Sequence, residues 1–342
     1  MLNPLALIEL RETGKCYVSL PEELLDLDFQ GHYFRRIKAV SLSIPCIAGP
    51  FTTVNCSLRL LNNTIRINTS MSGDYEHYND EGLWTDDDRF RTSNVPVTSI
   101  ATSTGQNDAG MFEFNFRDER YLPFEGAGVI SDWQIELSTE KDLRQFDYST
   151  ISDVILHLKF TARENGGLKT GAVDHIIKFI KNTSDLVDQP LMRMFSMKQE
   201  FPTEWHKFLH PGVEGGEQVL NITIGKDRMP FFTRDRKIDV MSIDVLARTT
   251  KSENYLLILA FDSLIPSDEI SMSQIPTFGN LQCASLAGEI SNINVENISI
   301  EKPISLKLRY NLSEDFKSLE TNPDEAKDIL LVLHYKLSDE SG

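Results

Sequence analysis

The feature that most constrains this chain is a strand pattern that it carries twice. Tyr33-Phe34-Arg35-Arg36-Ile37-Lys38-Ala39-Val40-Ser41-Leu42-Ser43-Ile44 sets an aromatic pair and a basic pair ahead of an alternating run. Phe231-Phe232, followed by Arg236-Lys237-Ile238-Asp239-Val240-Met241-Ser242-Ile243-Asp244-Val245, repeats that order. Tyr17-Val18-Ser19-Leu20 is echoed in the same way by Leu220-Asn221-Ile222-Thr223-Ile224, and residues 153–160 by residues 328–335. Apolar residues at every second position mark half-buried strands. Strands in this number and order predict an all-β protein of two β-sandwich domains, jelly-roll-like, joined by a short helical segment. Any two sandwiches share a strand–turn rhythm. Matched order, with aromatic and basic pairs in step, favours a duplication.

Between these landmarks the punctuation sets the boundaries. Residues 3–12 read as the end of a helix closed by Gly14, and Pro21 and Pro45 end strands. Residues 55–61 and 64–68 read as a hairpin turning at Asn62-Asn63. Residues 73–90 are polar and acidic and read as an exposed loop. Further strands fall near 111–116, 133–138 and 153–161. After Gly166-Gly167, Val173, Ile176, Ile177 and Ile180 recur at helical spacing, which predicts a helix over 171–182. Residues 186–199 show no clear period, and Pro202 opens a helix through Leu209. The domain plan is a helix end over 1–14, a sandwich over 15–165, a helical connector over 166–212 and a second sandwich over 213–342, a duplicate of the first.

A chain of 342 residues is comfortable for two domains, each with its own core. Its formal charge of −17 argues against nucleic acid or an anionic membrane and favours a basic protein surface as partner. No apolar run has the length of a membrane span, and no basic segment followed by an apolar one marks a secretory signal. Cys16, Cys46, Cys56 and Cys283 lack zinc or redox spacing. Cys46 and Cys56 could meet across a hairpin, but buried thiols are the simpler reading.

The candidate chemical sites are each outweighed by a plainer reading. His206 and His210 lie one helical turn apart, but Lys207 stands where a metalloprotease needs Glu, so solvated or capping histidines are expected. Asp80-Glu81 with Asp86-Asp87-Asp88 offers carboxylates to calcium without the pattern of an EF-hand. Phe124-Glu125-Gly126-Ala127-Gly128 lacks the strand–helix setting of a phosphate cradle. No Gly-x-Ser-x-Gly elbow is present. No catalytic, metal-binding or cofactor-binding residue is therefore assigned, no cofactor is expected, and the chain reads as a non-enzyme. Trp84, Trp133 and Trp205 keep open an alternative, a carbohydrate- or receptor-binding sandwich of lectin or adhesin type, although a tryptophan within a strand is more often core.

Three blocks carry a family resemblance. They are residues 31–46, from Gly31-His32-Tyr33-Phe34 to Pro45-Cys46; residues 103–128, which include Met111-Phe112-Glu113-Phe114 and Arg117-Asp118-Glu119-Arg120-Tyr121; and residues 146–158. In this order they resemble the TcB-binding domain near the C-terminal end of the A component of Tc (toxin complex, ABC) insecticidal toxins. The resemblance covers residues 3–165 well, extends to Phe201-Pro202-Thr203-Glu204-Trp205, and is weak elsewhere. It implies a module that docks the β-propeller of the B component and gates entry of the toxic fragment into a channel. It also implies secretion within a bacterial toxin assembly after synthesis in the cytoplasm, and self-association as in the A-component pentamer. The family's long channel, receptor-binding and shell regions have no counterpart here, since the chain starts near the point where the channel helix ends. Within the most family-like block, the exposed corner Arg117, Asp118, Glu119, Arg120 and Tyr121 is the expected partner contact, with an internal charged corner as its plain alternative.

Overall fold

In a computed structural model, residues 3–49, 52, 54–70, 75, 87–92, 99–104, 111–114, 123–140, 143–182, 191–210, 218–230, 233, 236–249, 255–261, 268–279, 281–287, 289–290, 293–294, 302–312, 315–318 and 326–338 are described. The chain divides into two compact units, one of Leu5–Lys181 and the other built on Asn182–Gly342. Both are antiparallel β-structures.

The first unit contains α1 (Pro4–Thr13), β1 (Lys15–Leu20), α2 (Glu22–Asp26), β2 (His32–Pro45), β3 (Val54–Arg66), β4 (Phe90–Thr92), β5 (Ser99–Thr104), β6 (Met111–Phe114), β7 (Ile130–Glu136), β8 (Ile155–Glu164) and α3 (Gly166–Asn182). One sheet runs β1-β7-β3, with β4 and β5 both on the far edge of β3; the other runs β6-β2-β8. Alternation dictates the faces. Val40, Leu42 and Ile44 of β2 point inward, as do Leu58 and Leu60 of β3 and Trp133 and Ile135 of β7, and all are buried. Helix α1 adds Ile8 and Leu10 to this core. Gly14, at φ +83°, closes that helix by donating to the Leu10 carbonyl.

The second unit contains β9 (Leu191–Ser196), α4 (Met197–Glu200), α5 (Pro202–Leu209), β10 (Leu220–Ile222), β11 (Lys237–Thr249), β12 (Tyr255–Phe261), β13 (Asp268–Ser271), β14 (Ser273–Ile275), β15 (Leu281–Ala287), β16 (Glu289–Ile290), β17 (Ile293–Asn294), β18 (Ile304–Leu312), β19 (Asp315–Ser318) and β20 (Ala326–Ser338). Its sheets run β10-β18-β12-β13, with β19 on β18, and β14-β15-β11-β20-β9. A single apolar cluster joins the two, from Leu220, Leu257 and Leu306 on one side to Ile243, Leu286 and Leu331 on the other. Trp205 and Phe208 of α5 belong to it.

Seven strands follow the same connectivity in both units. The order β1-β7-β3-β5 corresponds to β10-β18-β12-β13, and β6-β2-β8 to β15-β11-β20. Registers agree in detail: Ser41 faces His157 across β2 and β8, and Ser242 faces His334 across β11 and β20. Leu42 likewise faces Leu156, and Ile243 faces Leu333. This places the closing strands in correspondence with His157 on His334, two residues along from the echo visible in sequence. The Phe231-Phe232 part of that echo lies outside the described residues.

Several sequence expectations change. Residues 54–66 are one strand, not a hairpin: Asn62 and Asn63 stay paired with Asp132 and Ser131 past a bulge at Leu61. The side chain of Asn63 accepts from the Gly128 N–H at 2.8 Å, which replaces the expected turn. The 73–90 segment is not wholly exposed, because Tyr75, Arg89 and Phe90 are buried. Residues 191–196 form a strand with no clear period. Cys46 and Cys56 are free, buried thiols, as are Cys16 and Cys283; burial pushes Cys16 and Cys56 up to about 12 and Cys283 to about 11.

Candidate docking interface

The expected contact corner, Arg117, Asp118, Glu119, Arg120 and Tyr121, lies outside the described residues. Two of the family-like blocks contribute to adjacent strands, β2 and β8.

Outward positions are fixed by register. Arg36 pairs with Thr161, Ala39 with Lys159, Ser41 with His157 and Ser43 with Ile155, while Lys38 is extruded at a bulge between Ile37 and Ala39. Arg36, Lys38, His157, Lys159 and Arg163 are all exposed. Among the described residues, Arg36, Lys38, Lys159 and Arg163 form no ion pair. An acidic chain therefore carries a sheet face that, among the described residues, is basic and without internal ion pairs, and such a face attracts anionic partners and speeds encounter.

Phe34 anchors one end of this face. Its backbone sits at φ +54°, a left-handed conformation that costs a bulky residue about 1–3 kcal/mol. The guanidinium groups of Arg36 and Arg163 lie over its ring at 5.1 and 4.5 Å from the centroid. The ring thus holds two cations of neighbouring strands side by side. The adjoining stretch of β2 is pinned by the 124–129 loop: Ile37 donates to the Ala127 carbonyl and Gly126 to the Ile37 carbonyl. Gly128 passes so close to β3 that a Cβ there would lie 2.1 Å from the Thr64 carbonyl oxygen. That close approach accounts for Gly128, and a left-handed φ of +85° for Gly126.

Beneath the sheet lies a buried ionic network that the sequence did not reveal. Arg66, 1% exposed, donates from Nε to Glu22 Oε1 at 3.0 Å, from Nη2 to Oε2 at 2.7 Å, and to the Tyr75 carbonyl at 2.6 Å. Its guanidinium is sandwiched between the rings of Tyr75 and Phe90, at 4.5 and 4.4 Å. Arg35 donates to Asp26, Glu22 and the Phe29 carbonyl, and the Tyr75 hydroxyl donates to Asp26 at 2.6 Å. Burial pushes the Glu22 carboxyl up while Arg66 draws it back. Burial, Glu22 and the Asp26 hydrogen bond all raise the Tyr75 hydroxyl. Tyr75 also stacks on His175 of α3, which contacts Glu23 at 3.2 Å. The network ties α2, β2, β3 and α3 together.

The remaining candidates resolve locally. The His206 and His210 rings stack at 4.5 Å between centroids. Among the described residues no group of three or more metal-type ligands gathers. Asp80, Glu81 and Asp86 lie outside the described residues, whereas Asp87 accepts from the Arg89 guanidinium. Trp133 and Trp205 are core residues, which removes two of the three supports for a sugar-binding reading; Trp84 lies outside the described residues. No described helix is long and apolar enough to cross a membrane.

Part of the chain is similar to known proteins. Residues 1–162 match the family model described as the Tc toxin complex TcA C-terminal TcB-binding domain. The chain is 33% identical over 179 residues to toxin subunit YenA2 of Yersinia entomophaga, a match covering 52% of this chain and 13% of that protein. A cryo-EM structure of Yersinia pseudotuberculosis TcaA-TcaB matches at 25% identity and a TM-score of 0.27, over 44% of this chain and 7% of that one. The chain thus aligns with only a small part of the length of either relative.

Proposed function

Residues 1–162 belong to the TcB-binding domain family of Tc toxin A components, and on that premise we propose that this chain is a non-enzymatic docking module for the B component of a Tc toxin. The observation that carries the proposal is the basic face of β2 and β8, which among the described residues has no internal ion pair at Arg36, Lys38, Lys159 or Arg163. Docking here would supply binding energy rather than chemistry. A contact that favours an open form of the partner's β-propeller shifts its conformational equilibrium and admits the toxic fragment to the channel. The module would act outside the cell within the toxin assembly. Residues 117–121 are expected partner contacts, and the second unit is a copy of the sandwich that keeps the fold without the basic face.

Binding of the full chain to a purified B–C toxin cocoon tests this by biolayer interferometry. Saturable binding that weakens with salt is expected. Arg117→Glu and Arg120→Glu are expected to weaken it at unchanged melting temperature. Absence of binding at micromolar cocoon would remove the reading.

A further inference from the structure

The outer edges of β8 and β20 are corresponding places in one topology, yet they are finished differently. β20 is paired on both sides, with β11 on one edge and β9 on the other, from Leu330 opposite Ser196 to Tyr335 opposite Leu191. Residues 329–333 are all buried. Among the described residues, β8 pairs with β2 alone. Its inward residues Leu156, Leu158 and Phe160 face Leu42, Val40 and Ile37 across the sheet, but stay half-exposed. Their counterparts Leu333 and Tyr335 are each 1% exposed. Ten residues of strand thus present an open edge with an unfinished apolar side.

The charges decide what can complete it. A second copy of β8 added antiparallel, with its apolar side kept inward, sets Lys159 against Lys159. Shifted by one pair, it sets His157 against Arg163. Like charges directly opposite disfavour the first register, and in the second Lys159 stands diagonal to Lys159 and Arg163 of the other copy with no acid to offset them. A strand with acidic residues on the outward side has the reverse effect, since it meets His157, Lys159 and Arg163 on β8, with Arg36 and Lys38 beyond. Apolar residues on its other side would cover Leu156, Leu158 and Phe160, as β9 covers the corresponding edge of β20.

We propose that the open edge of β8 takes up an extended segment of the docking partner, alternating apolar and acidic residues, as an added antiparallel strand. The partner's identity rests on the docking reading; the mode of binding rests on the comparison of the two edges.

The test is hydrogen exchange on the full chain, read by mass spectrometry, with two probes. The first is a synthetic eight-residue peptide of alternating Val and Glu, with a Val–Lys peptide of equal length as control. Millimolar Val–Glu peptide is expected to slow exchange over residues 155–161 by about tenfold and to leave residues 330–335 unchanged. The Val–Lys peptide is expected to do neither. Lys159→Glu combined with Arg163→Glu, both exposed positions, should abolish the protection without altering exchange elsewhere. No slowing at β8, or equal slowing by both peptides, overturns the proposal. The second probe is the B–C cocoon. Binding of the cocoon without protection of β8 overturns strand addition and leaves the docking reading intact. Protection of β8 by the Val–Glu peptide with no cocoon binding supports strand addition and removes the docking reading.

Discussion

The two units put one strand order to different ends. In the second, the outward charges find partners within the sheet: Lys237 pairs with Asp239 at 2.8 Å and His334 with Asp244 at 2.7 Å. Its closing strand is walled in by β9, and one apolar cluster runs through both sheets. In the first, Arg36, Ala39 and Ser43 stand where the second has Lys237, Asp239 and Asp244, so the cation loses its acidic neighbour and the histidine finds a hydroxyl instead. The same register therefore carries internal ion pairs in the second unit and, at Arg36, Lys38, Lys159 and Arg163 among the described residues, none in the first. Strand order does not decide this; a few outward side chains and one extra strand do.

Removal of what is peculiar to the first unit gives the largest expected effect. Glu22→Gln takes the carboxylate from Arg66 and leaves that buried cation without an ionic partner, while Arg35 keeps Asp26, a loss of about 3–5 kcal/mol. Calorimetry should show a lowered transition for the first unit beside an unmoved one for the second. Next comes a matched pair at the corresponding leucines. Leu333→Ala should cost about 2–5 kcal/mol, whereas Leu156→Ala, half-exposed beside an open edge, should cost about 1 kcal/mol because less apolar area leaves water there on folding. Equal losses in denaturant titrations would mean that the edge of β8 is covered. Smaller still in stability is the pair Lys159→Glu and Lys336→Glu. Each should change unfolding free energy by less than about 0.5 kcal/mol, but only Lys159→Glu should weaken binding to the cocoon.

Much of this comparison could be read in the sequence, and the exceptions have physical causes. β2, β11 and the closing strands announce themselves because one face is buried and the period of two survives. The hairpin expected at Asn62-Asn63 failed because turn propensity is local: Asn63 instead satisfies the N–H of Gly128, sixty-five residues along the chain. β9 was missed because Leu191-Met192-Arg193-Met194-Phe195 has no β-branched residue and both its faces are at least half-buried. The basic face was missed for a different reason. Its cations lie on strands more than a hundred residues apart, and bulges near Phe34 and Lys38 decide which of them point outward. The available signal was basic residues at alternate positions of a strand, Lys159, two residues beyond His157, and, past Thr161, Arg163, in a chain otherwise rich in acid. The network of Glu22, Asp26, Arg35, Arg66 and Tyr75 gave no signal, because scattered charges ordinarily mean solvent.

The sharpest remaining contrast is chemical, between Ser43 beside His157 at 3.0 Å and Asp244 beside His334. Burial pushes the Asp244 carboxyl up, but hydrogen bonds from His334 and Ser285 outweigh it and hold the group below the usual carboxylate range. A carboxyl whose folded value is lowered binds fewer protons in the folded state than in the unfolded one. Its contribution is therefore complete above the unfolded value, about 3.9, and is lost as pH falls through the folded value. The second unit should thus lose stability on acidification below about pH 4 through this site, whereas the corresponding pair of the first unit, with a serine in place of the acid, adds no such dependence. Denaturant titrations of the second unit across that range, compared with Asp244→Ser, should show the slope flattening in the variant. An unchanged slope would place the acid sensitivity elsewhere and reduce the difference between the two histidine pairs to geometry.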